Sequence, residues 1–172
     1  MDMGYRPAVS KRYLLPEYSV FVYGMFLMSS PLSSLAVPET TQLVTRGVCR
    51  MFQDLGFGTL TEFKLANGRR VDVMAIDRNG DFVIVEVKSS VADYRADRKW
   101  HEYLAFCERF YFAVPAGFPI EMMPEDCGLI VADPYEAAVH RESMGKKLNA
   151  NRKRRQLIRF ALAASDRLRH MG

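Results

Sequence analysis

The chain has 172 residues, of which 49% are hydrophobic and 26% are charged. These values exclude a disordered polypeptide and fit one globular domain with a sizeable core. The net charge of +4 favours an anionic partner without identifying one. Neither the three cysteines nor the three histidines show metal-binding spacing, which argues against a zinc site and favours a reducing, cytoplasmic location.

Residues 1–37 are interpreted as an N-terminal extension that precedes a single domain over residues 38–172. Its apolar run from Tyr18 to Met28 follows a basic pair and precedes the small residues SSPLSSLA, an order that resembles a signal peptide. The run is too short to span a bilayer, so we expect no membrane contact. A loosely attached segment and a true start at Met28 are the other two interpretations, and the cytoplasmic location favours these two.

The predicted elements after this extension give the order α-β-β-β-α-β, an α/β fold with a mixed central sheet flanked by helices. The first helix is predicted over residues 41–55, where apolar side chains recur at helical spacing and Gly56 supplies the stop. Strands are expected near residues 59–65, 70–76 and 82–88, a second helix over about 91–108, further strands at 109–114, 128–132 and 137–141, and a basic helix from about 151 to 169.

The hairpin RRVDVMAIDRNGDFVIVEVKSS, residues 69–90, carries charged residues within an apolar sequence. Buried strands normally lack them, because an unpaired buried charge costs several kcal/mol. The turns that end in Gly68 and Gly80 are predicted to be three-residue loops with glycine in the left-handed conformation. Counting back from both loops gives two rows of side chains on one face, the first Glu62, Asp72 and Glu86, the second Lys64, Arg70 and Lys88.

Three carboxylates opposed across a sheet repel one another unless a cation lies among them. Mg²⁺ takes one or two carboxylates and fills its remaining positions with water and substrate phosphates, with Mn²⁺ as the alternative ion. A neighbouring lysine stabilises charge that develops on a phosphate. The competing interpretation is a set of ion pairs, in which the second row neutralises the first without a metal. The position of the whole set inside an apolar hairpin favours the metal site.

Asp72 followed by Glu86-Val87-Lys88 on the neighbouring strand resembles the motif of the PD-(D/E)XK nuclease superfamily, with Val71 in place of the proline. Two longer segments, GRRVDVMAIDRNGDFVIVEVKSSVADYRADRKWHEYLAFCERFYFAVP and PEDCGLIVAD, are similar to the MmcB-type DNA repair proteins. This likeness covers about residues 43–142. It implies a restriction-endonuclease-like core and a role in DNA repair.

The resemblance also implies roles for individual residues. Asp72 and Glu86 would bind the metal together with the backbone carbonyl of Val87, and Lys88 would be the catalytic lysine. Many relatives carry a further carboxylate in the first helix, whereas that helix offers here Gln42, Arg46, Arg50, Gln53 and Asp54. Glu62, from the first strand, is the candidate to replace it.

Several basic residues are candidate DNA contacts. Lys99 and Tyr103 stand where some relatives carry a Gln-x-x-x-Tyr pair, and Lys64 and Arg70 belong to the second row of the hairpin. Residues 143–165 include seven basic residues and no acidic one, among them Arg152, Lys153, Arg154 and Arg155. Such a run would neutralise phosphates and make binding salt-dependent. The alternative is a solvated helix face, opposite an apolar side formed by Leu157, Ala161, Ala164 and Leu168.

The sequence therefore predicts a DNA repair protein that hydrolyses DNA phosphodiester bonds with Mg²⁺ and a metal-activated water. The alternative is a repair module that keeps the nuclease-like fold and binds DNA without cleaving it. A third interpretation is an exported protein whose carboxylate row is only structural. Glu62 in the row favours the enzyme, whereas the first helix without a carboxylate at the expected place favours the second interpretation. Other repair proteins are further candidate partners.

Overall fold

The structure, a computed structural model, describes residues 37–171. Within this range the α-helices are α1 (Val37–Asp54), α2 (Val91–Ala96) and α3 (Ala150–Met171). The strands are β1 (Gly58–Lys64), β2 (Arg70–Ile76), β3 (Phe82–Val87), β4 (Arg109–Pro115), β5 (Gly128–Ala132) and β6 (Ala137–Arg141). Two 3-10 helices span Trp100–Ala105 and Ile120–Met122. The signal-like run predicted at residues 18–28 lies outside the described residues.

The six strands form one sheet in the order β1-β2-β3-β4-β5-β6. The first three strands pair antiparallel, β3, β4 and β5 pair parallel, and β6 returns antiparallel to β5. Every residue of β3 is buried, as expected for a strand in the middle of a sheet covered on both faces. The predicted α/β class, a mixed central sheet flanked by helices, is confirmed.

Both hairpin turns have the predicted form. The backbone N–H of Leu65 donates to the carbonyl of Arg69 at 2.7 Å, and that of Asp77 donates to the carbonyl of Asp81 at 3.1 Å. Gly68 and Gly80 have φ angles of 83° and 74°, the left-handed region that a side chain would strain. These three-residue loops fix the register in which Asp72 lies opposite Glu86.

Two apolar cores lie on opposite faces of the sheet. The first core includes Phe63, Met74, Ile84, Trp100 and Phe112. The second core includes Val44, Val48 and Phe52 of α1, packed against strand residues such as Val73 and Val85. The apolar spacing that predicts the first helix is thus the spacing of its buried face.

Helix α3 presents a different side to the sheet from the one predicted. Phe160 packs on the first core, with its ring centroid 5.9 Å from that of Phe63 and 6.0 Å from that of Phe82. Gln156 is buried beside it, whereas Leu157 and Leu168 are 37% and 71% exposed. The predicted apolar side of this helix is therefore wrong. The largest aromatic side chain sets the rotation of the helix, because it buries more apolar area than the smaller residues predicted to pack.

The predicted continuous helix over residues 91–108 is also wrong. Helix α2 ends at Ala96, and a 3-10 helix begins at Trp100. Asp97 separates them: its Oδ1 accepts a hydrogen bond from the backbone N–H of Lys99 at 2.7 Å, a turn that competes with helical hydrogen bonding. The other oxygen of Asp97 pairs with Lys88, so the interruption is tied to a charged residue at the end of β3.

Candidate active site at the end of β3

Two carboxylates meet where the pairing of β2 and β3 ends. The Oδ2 atom of Asp72 accepts a hydrogen bond of 2.7 Å from the backbone N–H of Val87. Glu86 is 8% exposed, and its Oε2 atom has no hydrogen-bond partner among the described residues. Buried polar atoms are almost always paired, so an open carboxylate oxygen at this depth is a candidate ligand atom.

Both carboxylates are electrostatically unfavourable as anions. Burial, followed by the charge of Asp72, raises the pKa of Glu86 to about 8. Burial also raises the pKa of Asp72, and the hydrogen bond from Val87 and the charge of Lys88 offset only part of this effect. Two anions in a low-dielectric environment require a proton or a cation between them.

Lys88 supplies one positive charge at this point. It is 4% exposed, and its Nζ atom lies 2.6 Å from Oδ2 of Asp97 and 3.4 Å from Oε1 of Glu86. Burial lowers the pKa of Lys88, but Glu86 and Asp97 outweigh burial, and the pKa is raised above its ordinary value. Burial raises the pKa of Asp97, but the hydrogen bonds from Lys88 and from the backbone of Lys99, with the charges of both lysines, together outweigh burial, so that pKa is lowered. Lys88 and Asp97 therefore form a charged pair.

Two further acidic residues of the site, Asp93 and Asp97, were not predicted from the sequence. Asp93 follows Ser90 by three residues, and its backbone N–H donates to Oγ of Ser90 at 3.2 Å. The Ser-x-x-Asp spacing is an N-cap signature that predicts this position. The charge of Asp93 raises the pKa of Asp72. For Asp97 the signal was indirect, since a buried lysine requires a carboxylate partner.

Glu62 keeps the predicted register, since Thr61 and Phe63 on either side of it pair with Val73 and Val71, but its local conformation departs from a regular strand. Its φ angle is 49°, and its half-exposed side chain pairs with Nε of Arg70 at 2.5 Å. Leu60 and Phe63 both contact the first core although they are three residues apart, so side-chain alternation shifts at Glu62. The charge of Glu62 still raises the pKa of Asp72. The structure thus brings Asp72, Glu86 and Lys88 together and places Glu62 beside them in an exposed ion pair.

A basic cleft adjoins the carboxylates. We call it the site cleft; it measures about 530 Å³ and is lined by Lys64, Gly68, Arg69, Arg70, Lys99 and Tyr103. Burial and the charges of Glu86, Asp97 and Asp72 raise the pKa of Tyr103 to about 12, which places this phenol close to the acidic residues. Four predicted DNA contacts thus share one cleft, even though the helix predicted to carry two of them is interrupted.

The described carboxylates fit a sparsely coordinated ion and not a closed cage. No group of three or more His, Cys, Asp or Glu within residues 37–171 is arranged to hold a metal. Asp72 and Glu86 are a pair, which is the usual protein share of a Mg²⁺ site, and Oε2 of Glu86 is an open donor. The polar residues of α1 that were considered for this position are all exposed to solvent: Gln42, Arg46, Arg50, Gln53 and Asp54.

The basic residues 152–155 of α3 have different surroundings. Lys153 pairs with Asp81 and lies 3.8 Å from Oε1 of Glu108, so its charge is partly neutralised by the fold. Arg152, Arg154 and Arg155 are exposed.

A six-stranded mixed sheet, with the partly buried Asp72 near the start of β2 and the buried Glu86 and Lys88 at the end of β3, defines an α/β protein with a carboxylate–lysine site. The family model described as MmcB-like, DNA repair protein MmcB-like, matches residues 28–172. The chain therefore belongs to the MmcB-like family of DNA repair proteins.

A solved structure of a protein of unknown function from Silicibacter pomeroyi is similar to this chain, with 38% sequence identity and a TM-score of 0.75. The similarity covers 80% of this chain and 92% of that one. No curated protein matches the chain. None of the described helices is both long enough and apolar enough to cross a membrane.

Proposed function

We propose that this protein is a Mg²⁺-dependent nuclease of the PD-(D/E)XK type that hydrolyses phosphodiester bonds of DNA. The observation that carries the proposal is the buried Oε2 atom of Glu86 beside Asp72, which has no hydrogen-bond partner within residues 37–171. A fold that leaves two neighbouring carboxylates uncompensated loses stability, and a bound cation recovers it. Membership in a DNA repair family supports DNA as the substrate.

Asp72 and Glu86, with the backbone carbonyl of Val87, would hold the ion, and Mn²⁺ would occupy the same donors. When bound, the ion supplies a water of lowered pKa and positive charge next to the phosphate. Hydrolysis forms a bond from the water oxygen to phosphorus and breaks one phosphorus–oxygen ester bond, so negative charge grows on the phosphate. Lys88 stabilises that charge, because its ammonium is held in the protonated state by Glu86 and Asp97.

The DNA would lie in the site cleft. Lys64, Arg70 and Lys99 contact phosphates in this proposal, and Tyr103 borders the reacting group. Glu62 completes the acidic set from β1 when DNA displaces its partner Arg70, which then becomes available to a phosphate. We further propose that the protein acts in the cytoplasm together with other repair proteins.

A second function is favoured by a specific observation. Lys88 is only 2.6 Å from Asp97, and Glu62 is neutralised by Arg70 at 2.5 Å. If bound DNA does not displace these partners, Lys88 and Glu62 stay in their ion pairs and take no part in cleavage. The protein would then be a repair module that binds DNA in the site cleft and does not cleave it.

The test uses the purified protein with nicked, branched and single-stranded DNA, each in Mg²⁺, Mn²⁺ or chelator. The matched variants are Glu86→Gln at the site and Glu121→Gln, an exposed carboxylate of the second 3-10 helix. Cleavage that needs the ion, disappears in Glu86→Gln and persists in Glu121→Gln supports the nuclease. Binding without cleavage in every condition supports the second function. If the protein neither binds nor cleaves any of these DNAs, both functions are contradicted.

A further inference from the structure

A second cleft lies between α3, the first 3-10 helix and the turn that joins β1 to β2. We call it the α3 cleft; it measures about 290 Å³, and its lining includes Ala66, Phe106, Arg152, Arg155, Gln156 and Arg159. None of the described residues that line it is acidic. Three guanidinium groups around one concave surface attract an anion with several acceptor oxygens.

No ion pair with a described residue neutralises the arginines of the α3 cleft. Arg152 donates to the carbonyl of Ala105 at 3.1 Å, and Arg159 donates to the carbonyl of Leu65 at 3.2 Å, so both bind neutral groups. Arg155 makes no hydrogen bond or ion pair with any residue in the described part of the chain.

An amide donor in the same cleft lacks an acceptor. Gln156 is 2% exposed, and its side-chain Nε2 has no hydrogen-bond partner within residues 37–171. A buried N–H group without an acceptor costs about 1–3 kcal/mol. A ligand that brings acceptor oxygens to this place would recover that cost. The combination of guanidinium groups and a spare amide donor fits a phosphate group.

Neighbouring residues on α3 lack these properties. Lys153 is held by Asp81 and Glu108, and Arg154 is exposed and lines neither cleft. The site is therefore a property of the cleft and not of the basic run as a whole.

The turn between β1 and β2 separates the two clefts. Ala66 lines the α3 cleft, and Gly68 lines the site cleft. The turn is exposed, yet both of its ends are anchored. Arg69 donates to both carboxylate oxygens of Glu102 at 2.9 Å and 2.8 Å, and Arg159 holds the carbonyl of Leu65. A bidentate arginine pair fixes geometry, so the turn is a firm projection between two basic surfaces.

From these contacts we infer that the two clefts bind the two separated strands of a DNA fork, with the β1–β2 turn between them. The site cleft takes the strand that reaches Glu86, and the α3 cleft takes a phosphate of the other strand. This inference rests on the proposed function, since it names the DNA structure on which the carboxylate site acts. An unbroken duplex has no gap between its strands to receive the turn.

The test measures binding in chelator, where cleavage plays no part, so a failure of this inference can be distinguished from a failure of the nuclease proposal. Fluorescence anisotropy compares a labelled fork, a plain duplex and a single strand of matched length. The wild-type chain should bind the fork at least about tenfold more tightly than either control. Arg155→Gln should remove most of this preference and lower the salt slope of fork binding by about one, and its affinity for the single strand should change less than about twofold.

Arg154→Gln is the matched control, one residue away on the same helix. It should retain the fork preference within about twofold. Equal losses of fork preference in Arg154→Gln and Arg155→Gln would show that only the total positive charge matters, and would overturn the inference. An equal affinity of the wild-type chain for fork and duplex would overturn it as well. Circular dichroism and melting curves check that both variants are folded.

The position of the turn can be tested separately. Asn67 is exposed at the tip of the turn, so Asn67→Cys can carry a thiol-linked photo-crosslinker. The wild-type chain, treated with the same reagent, is the control for labelling at the partly buried Cys49. Crosslinks should fall within a few nucleotides of the point where the strands part. Crosslinks spread evenly along the duplex arm would contradict a turn that lies between the strands.

Discussion

Glu86 and Glu108 are two buried glutamates that the fold treats in different ways. Glu108 is 6% exposed, its Oε2 accepts a hydrogen bond of 2.7 Å from the backbone N–H of Phe82, and Lys153 lies near its other oxygen. Glu86 is 8% exposed, one of its oxygens has no partner within residues 37–171, and its neighbour Lys88 lies closer to Asp97. The chain can therefore satisfy a buried carboxylate where structure is the only requirement. The incomplete contacts of Glu86 indicate a binding role.

The largest expected difference between the two residues is in catalysis. Glu86→Gln removes half of the anionic donor pair, and Lys88→Met removes the charge opposite the phosphate. Each should lower the rate of Mg²⁺-dependent DNA cleavage by about 10³-fold or more. Glu108→Gln, measured at a temperature where it is folded, should cleave within about threefold of wild type. A comparable loss in Glu108→Gln would show that the assay reports folding and not chemistry.

The next effect is on the pH dependence of stability. Because the folded pKa of Glu86, about 8, lies above its unfolded value, the folded state binds more protons between pH 5 and 8. Below its unfolded pKa, Glu86 is protonated in both states and does not destabilise the fold. As the pH rises towards 8, the unfolded state ionises first, and the free energy of unfolding falls. In chelator, the wild-type chain should lose about 2–4 kcal/mol across this interval relative to Glu86→Gln. Denaturant titrations at each pH measure it, and parallel curves for the two chains would contradict it.

At neutral pH, substitutions at Glu108 and at Asp72, the neighbour of Glu86, should change the free energy of unfolding in different directions. Glu108→Gln weakens the charged contact with Lys153, and should lower the free energy of unfolding by about 1–3 kcal/mol. Asp72→Asn relieves repulsion at the other site, so without metal its stability should be unchanged or slightly raised. Melting curves with and without Mg²⁺ decide this. A clear loss of stability in Asp72→Asn, in a protein whose melting ignores the ion, would favour simple ion pairing over a metal site.

The smallest effect on stability is expected at Glu62. Its pair with Arg70 is exposed, so Glu62→Gln should change the free energy of unfolding by less than about 0.5 kcal/mol. Cleavage should nevertheless fall roughly tenfold, with a higher Mg²⁺ requirement, because residues that support a metal site tune its affinity. Wild-type cleavage and Mg²⁺ dependence in this variant would remove Glu62 from the site.

The part of the site that the sequence predicts is the part built by local turns. Gly68 and Gly80 determine the loop length, and the loop length determines that Asp72 lies opposite Glu86. Lys88 follows Glu86 by two residues, directly after the end of β3. All of these positions can be counted along the chain from two glycines, and the strand register agrees with the count in both hairpins.

The remaining features depend on packing between distant segments. The rotation of α3 depends on Phe160 fitting between Phe63 and Phe82, which are far away in sequence. The left-handed conformation of Glu62 shifts the alternation of β1, and nothing in its residue type predicts that. Asp97 reaches Lys88 because α2 ends at Ala96, although the helix propensities of the following residues favour a longer helix. Tertiary contacts override local preference in each case.

The parallel pairing of β3 with β4 has a consequence for the time course of folding. Parallel neighbours require a long crossover, and residues 88–108 form it. The hairpins of β1, β2 and β3 need only short loops to close, so we expect them to form early. Asp93, Asp97 and Tyr103 all belong to the crossover and arrive when it docks. We therefore expect the carboxylates to assemble before Lys88 gains its partner, and the proposed site to be completed only when the crossover docks.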